Sequence, residues 1–348
     1  MNMLTIFTPT YNRGYILPQA YEALCRQTNK NFIWLIVDDG SIDGTQQLVQ
    51  GWIQEAKISI EYYFRKNGGK MRAHNEGVRL CHTELFVCID SDDYLVDDAV
   101  ETILKLWDTI DSKETLAGIV AYRGKDPYHT MFGESFPCAG HATIQELQSK
   151  GFVGETTSIY RTNVLSQFPF PVFEGEKFMP EAVAFDRIDA HYPLYIFPKV
   201  LTICEYRDDG LTYAVDMLRE NNPQGWLLYY QQRIKNSHFS ILRYKYISHA
   251  ICFCWKLKLN PFHHIPASYV EIAIGFCGAA VLRVIMKKLL ERDYFFRVNI
   301  KRKVEPYYDQ SRKMEIILSQ KSKNNLHCLY YICSFSTFIC TYKYYPQS

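Results

Sequence analysis

Three short apolar runs in the first 110 residues each stop at a cluster of polar side chains, and helical patterns separate them. Leu4–Thr8 stops at Pro9, Phe32–Val37 at Asp38-Asp39-Gly40-Ser41, and Leu85–Ile89 at Asp90-Ser91-Asp92-Asp93. Near-continuous apolar runs are expected of strands covered by helices on both faces of a parallel sheet. Helical patterns cover Tyr15–Gln27, Thr45–Ala56, Lys70–Cys81 and Asp97–Trp107, and Ile58–Phe64 alternates as a strand. Asp43 is expected to cap the second helix. The alternation predicts an α/β fold with a doubly wound, mostly parallel sheet. Ligands bind such sheets at the carboxyl ends of the strands, so the polar clusters should converge on one edge.

The bulk properties exclude several classes. With 348 residues, 47% hydrophobic and 22% charged, the chain can bury a sizeable core. A formal charge of +2 gives no global reason to expect nucleic acid as a partner. The first residues have no basic n-region, no long apolar h-region and no small-residue cleavage site. The eleven cysteines are scattered without a Cys-x-x-Cys pair, and read as reduced thiols rather than a zinc site. The longest apolar window, Ile272–Leu282, is about half the ~20 residues that a membrane span needs. These features give the expectation of a cytoplasmic protein.

Each polar cluster admits a functional and a bland reading. Asp90, Asp92 and Asp93 leave a strand end with carboxylates suited to Mg²⁺ or Mn²⁺, which favour carboxylate and phosphate oxygens. They would also serve as a solvated acidic turn. Asp38 and Asp39 could accept hydrogen bonds from a base or a ribose, or simply shape a turn. In Thr8-Pro9-Thr10-Tyr11-Asn12-Arg13, Tyr11 could stack on a base and Arg13 could pair with phosphate. In Asn67-Gly68-Gly69-Lys70-Met71-Arg72-Ala73-His74-Asn75, the glycines would let backbone amides approach a ligand at a helix N-terminus, with Lys70 and Arg72 adding positive charge. No histidine has metal-ligand spacing. Trp226, Tyr229 and Tyr230 read as helix packing.

Taken together and in this order, the four clusters resemble the nucleotide-binding half of family-2 glycosyltransferases, which have a GT-A-type fold. The resemblance implies a UDP-sugar donor site built from Thr8, Pro9, Tyr11, Arg13, Asp38, Asp39, Gly69, Lys70, Arg72, Asp90 and Ser91. It implies a Mn²⁺ or Mg²⁺ ion held by Asp92 with Asp90 or Asp93. It extends more loosely to Glu174-Gly175-Glu176-Lys177-Phe178-Met179-Pro180-Glu181, where the family carries an acidic general base at a helix start. Glu181 occupies that place. Ala182 follows it where many members have a second acid, and Asp186 is the backup. The implied reaction is an inverting, single-displacement transfer to an acceptor hydroxyl of a glycan or lipid-linked acceptor, in bacterial surface-polysaccharide biosynthesis. Two rivals stay open: a metal-dependent phosphotransferase using Asp90 and Asp92, and a non-catalytic nucleotide-sugar binder.

The expected organisation is a nucleotide-sugar-binding half over 1–110, an acceptor-binding half over 111–215, and a helical region over 216–348. That last region is rich in Tyr, Phe, Lys and Cys. It reads either as helices packed on the catalytic core or as a peripheral contact with the inner face of a membrane.

Overall fold

The structure is a computed structural model, and it describes residues 3–204 and 215–280. The chain divides into two compact units, Met1–Tyr229 and Tyr230–Ser348.

The first unit opens with the alternation read from sequence. β1 (Leu4–Thr10), α1 (Leu17–Arg26), β2 (Phe32–Asp38), α2 (Thr45–Glu55), β3 (Ile60–Phe64), α3 (Lys70–Leu80) and β4 (Leu85–Cys88) follow one another. β1 is buried at every position, and β2 at all but one. Helices cover both faces, so neither strand needs a polar side. Two contacts show how closely the layers pack. A Cβ added to Gly77 of α3 would lie 2.4 Å from the Phe7 ring of β1. Tyr21 of α1 stacks on Trp52 of α2 at 4.4 Å between ring centroids. Each fully buried aromatic or aliphatic side chain contributes roughly 1.5–3 kcal/mol through burial. Gly44, not Asp43 as expected, occupies the N-cap of α2 and makes no side-chain cap bond; Asp43, one residue earlier, accepts hydrogen bonds from the amide (3.1 Å) and hydroxyl (2.6 Å) of Thr45, the first residue of α2.

Next come β5 (Tyr94–Leu95), α4 (Ala99–Thr109), β6 (Gly118–Asp126), β7 (His129–Thr130), β8 (His141–Ala142), α5 (Ile144–Ser149), β9 (Thr156–Arg161), α6 (Thr162–Leu165), α7 (Ala182–Asp189) and β10 (Leu194–Ile203). The sheet runs β3-β2-β1-β4-β9-β6-β10-β5, with β7 on β6 and β8 on β10. The pairs β3–β2, β2–β1, β1–β4 and β6–β10 are parallel. β9 runs antiparallel to both β4 and β6. The GT-A-type α/β architecture is as expected, but the parallel run ends at β4 and the second half of the sheet is mixed.

The parallel register aligns the polar clusters. Thr10 pairs with Asp38, and Phe7 pairs with Cys88, two residues before Asp90. The clusters therefore leave the sheet on one edge. Past β10, α8 (Val215–Asn221) and the first half of α9 (Pro223–Asn236) still belong to the first unit. Trp226 is buried, in keeping with a packing role.

In the second unit, α10 (Ile241–Lys256) and α11 (Pro261–His264) precede a helix that occupies 269–280. Arg243 pairs with Glu271 at 2.6 Å, and the Ser248 hydroxyl donates to the carbonyl of Gly275 at 3.1 Å. Tyr230 stacks on His249 at 4.9 Å and packs on Phe253. Among the described residues, no helix is long and apolar enough to cross a membrane. The end of the apolar window at Leu282 and most of the expected membrane-contacting region lie outside the described residues.

Candidate active site

A cleft of about 860 Å³ opens where the polar clusters converge. Pro9, Tyr11 and Arg13 line it from the end of β1, and Asp39 and Gly69 from the next two clusters. Asp90, Ser91, Asp92 and Asp93 line it after β4, and Glu181 faces them from the start of α7.

Among the first clusters, the cleft receives some expected residues and not others. Thr8 is buried, and its hydroxyl accepts from the Trp34 indole N–H at 3.0 Å, so it serves the core. Asp38 is fully buried. Its carboxylate accepts from the Ser41 amide (2.7 Å) and the Tyr62 hydroxyl (2.7 Å), and burial together with Asp38 raises the Tyr62 pKa. Asp38 holds the turn, and its neighbour Asp39 faces the cleft. The reason is strand alternation: adjacent residues point to opposite sides.

The glycine loop departs from expectation in a different way. The amides of Gly68 and Gly69 point at the Asp39 carboxylate, at 2.9 and 2.6 Å. Asn67 adds a side-chain bond to the same group at 3.1 Å. These amides fix Asp39 instead of approaching a phosphate. Gly69 is glycine for two reasons, a φ of +96° and a neighbour: an added Cβ would lie 1.9 Å from the Lys177 carbonyl oxygen. Arg72 also turns from the cleft. Its guanidinium donates to the carbonyls of Gly68 (2.8 Å), Glu176 (2.5 Å) and Phe173 (2.5 Å), tying the loop over 173–176 onto α3. Asn75 does the same with both backbone groups of Phe170.

Lys70 sits at the centre. Its Nζ lies 2.7 Å from Asp90 Oδ1 and 2.9 Å from Glu181 Oε1. Burial works against the charge on Lys70, yet Asp90 and Glu181 hold its pKa well above the ordinary value. Lys70 in turn holds Glu181 below the usual carboxylate range, against the effect of burial. Burial disfavours ionised Asp90 too, but Lys70 and Arg123 outweigh it and lower its pKa. Asp186, one turn into α7, is buried and is not among the residues that line the cleft.

Several cleft residues carried no motif. Arg123 of β6 pairs with Asp93 at 3.3 Å. Burial pushes the Asp93 carboxyl up to about 7 even against this guanidinium. An arginine directly after the apolar run Gly118–Tyr122 was the one available signal, because buried arginines are rare unless paired. Lys177, Leu218 and Asn222 also line the cleft, so its wall reaches past residue 215 into α8 and the turn after it.

A divalent cation fits this donor set in one manner. Asp90 and Asp93 are each paired with a cation, and no ion pair among the described residues engages Asp92. No group of three or more His, Cys, Asp or Glu among the described residues is arranged to hold a metal. Mg²⁺ and Mn²⁺ nonetheless bind through one or two carboxylates when substrate phosphates complete the shell. Asp92, with Asp90 beside it, meets that requirement.

The chain resembles known proteins over the part that builds this cleft. Residues 5–168 match the model of glycosyl transferase family 2. Glycosyltransferase GlyG of Streptococcus pneumoniae serotype 4 is 24% identical over 193 residues, 52% of this chain and 63% of that protein. The poly(ribitol-phosphate) beta-N-acetylglucosaminyltransferase TarS of Staphylococcus aureus is 24% identical over 168 residues, 47% of this chain and 28% of that protein. The chain thus spans less than two thirds of the length of either relative. The crystal structure of S. aureus TarS 1–349 in complex with UDP-GlcNAc superposes with a TM-score of 0.50 at 19% identity, covering 78% of each chain, which shows a shared fold. Over residues 5–168, just under half of its length, this chain resembles glycosyl transferase family 2.

Proposed function

We propose that the chain transfers a sugar from a nucleotide-sugar, with UDP as the nucleotide, to an acceptor hydroxyl in one displacement that inverts the anomeric centre. The observation that carries this reading is the bridge made by Lys70. It joins Asp90, on the turn suited to a diphosphate and its metal, to Glu181, an ionisable carboxylate half open to the same cleft. The match of residues 5–168 to family 2 and the UDP-GlcNAc bound to TarS support a nucleotide-sugar donor.

In this mechanism Asp39 accepts hydrogen bonds from the base or ribose, and Tyr11, Arg13 and Pro9 form the wall beside the nucleotide. Asp92, with Asp90, would hold Mn²⁺ or Mg²⁺, which supplies charge neutralisation for the departing diphosphate. Lys70 adds a fixed positive charge next to it. Glu181, kept ionised by Lys70, accepts the proton of the acceptor hydroxyl as that oxygen attacks the anomeric carbon. The acceptor would be a glycan or a lipid-linked saccharide of a bacterial surface polymer. Contact with a membrane face through the region after 216 is part of this proposal.

The test is donor turnover with acceptor mixtures in the presence of Mn²⁺, Mg²⁺ or chelator. Glu181→Gln should leave nucleotide binding nearly intact and cut turnover by ~10²-fold or more. Unchanged turnover would end the assignment of Glu181. Release of inorganic phosphate from a phosphate ester would point to phosphotransfer instead.

A further inference from the structure

Two polar side chains clasp the segment leading to Glu181 onto the turn between α8 and α9. The carboxylate of Glu176, only 7% exposed, accepts from the backbone amides of Gln224 (2.7 Å) and Gly225 (2.9 Å) in the first turn of α9. In the other direction, the side-chain oxygen of Asn222, 4% exposed, accepts from the amides of Lys177 (2.8 Å) and Phe178 (2.9 Å). The Asn222 amide group is itself fixed by donating to the Leu218 carbonyl at 2.8 Å. All four amides held by the clasp are backbone donors in part-buried or buried surroundings, where leaving an N–H unsatisfied is costly.

The opposite side of the same segment rests on α3. Arg72 holds the carbonyls of Phe173 and Glu176, and Gly69 backs against Lys177. Met179 is buried in a small apolar cluster with Met71, Phe170, Val183 and Ala184. Pro180 then restricts the last φ before Glu181. A displacement at residues 177–178 is therefore passed along a short, stiff path to Glu181.

We infer that Asn222 and Glu176 are positioning residues for the transfer, setting the place of Glu181 from the helical region beyond the sheet. The inference rests on the reading of Glu181 as the base. The donor-side groups Asp39, Asp90 and Asp92 sit on other elements, so releasing the clasp separates the two halves of the reaction. Turnover falls because a base misplaced by about 1 Å can lose ~10²-fold in rate. Nucleotide affinity does not follow it.

The experiment compares the full chain with Asn222→Ala, Glu176→Gln and Glu181→Gln. Nucleoside diphosphate release from the preferred donor is measured beside calorimetric binding of that nucleoside diphosphate and thermal unfolding. Asn222→Ala and Glu176→Gln should each lose about tenfold or more in turnover, with nucleotide affinity within about twofold of the parent. Turnover unchanged in both variants would overturn the inference. So would nucleotide affinity lost in step with turnover, the signature of a staple that only maintains the fold. Should Asn222→Ala fail to fold, Glu176→Gln decides alone, since it keeps one of the two carboxylate acceptors. Parent-like turnover in Glu181→Gln would count against the base assignment itself, a result distinct from either clasp outcome.

Discussion

Lys70 Nζ lies 2.9 Å from Glu181 Oε1, which places a cation from the start of α3 against the acid that opens α7. The two residues are far apart in sequence and meet because α3 and the segment before α7 pack on the same edge of the sheet.

The first prediction concerns this pair. Lys70 lowers the Glu181 pKa, so removing the ammonium raises it. In Lys70→Met the base is then protonated at a higher pH, and the acid limb of the turnover profile moves toward neutrality. Turnover itself should fall by roughly tenfold to 10²-fold, because the charge beside the diphosphate is also lost. Lys70→Arg should keep more activity and shift the limb less. A pH–rate profile of both variants checks this, and an unmoved acid limb in Lys70→Met would contradict it.

The second concerns Gly69 and Gly175, which share positive φ values of +96° and +77°. An alanine at either position carries the strain of that backbone region, about 1–3 kcal/mol. At Gly175 nothing lies within 4 Å of an added Cβ, whereas at Gly69 it would meet the Lys177 carbonyl at 1.9 Å. Gly69→Ala should therefore lower the unfolding temperature clearly more than Gly175→Ala, and lower turnover with it. Equal shifts in thermal denaturation would show that the 177 backbone yields freely.

The third concerns stability against pH. His74 is buried among Phe7, Phe86 and Phe170, and burial pushes its pKa down to about 4. The unfolded chain takes up this proton near pH 6.5 and the folded chain does not until about pH 4. Stability from the neutral imidazole is fully present above pH 6.5 and declines as pH falls from there toward 4, by up to about 1.4 kcal/mol per pH unit. In His74→Phe that part of the slope should vanish. Denaturant titrations at pH 7, 6 and 5 would show it, and identical slopes in parent and variant would reject the buried neutral histidine.

The parts of this molecule that were legible in sequence share a cause. β1, β2 and β4 announce themselves because they are buried on both faces and break off at polar turns. The placement of β9 between β4 and β6 was not legible, because Thr156–Arg161 mixes polar and apolar residues and carries no mark of direction. Within the site, motifs located the neighbourhoods but not the side of the chain. Asp38 and Asp39 are adjacent in a motif, yet one is sealed under Tyr62 and the other faces the cleft. Lys70 and Arg72 share a helix turn, yet Lys70 reaches the carboxylates and Arg72 binds backbone carbonyls. Arg123 and Asn222 belong to no motif, and only the meeting of β6 and the α8–α9 turn around the cleft brings them to it.

The most direct test of the central claim is metal-dependent release of nucleoside diphosphate from a panel of UDP-, GDP- and dTDP-sugars, run on the parent chain, Asp92→Ala and Glu181→Gln. The account predicts that one donor is cleaved with Mn²⁺ or Mg²⁺ and not with chelator. It also predicts that each substitution lowers the rate by ~10²-fold or more. Donor cleavage at the parent rate in both variants would contradict it, since the reaction would then proceed without the acidic turn and without the acid that Lys70 holds.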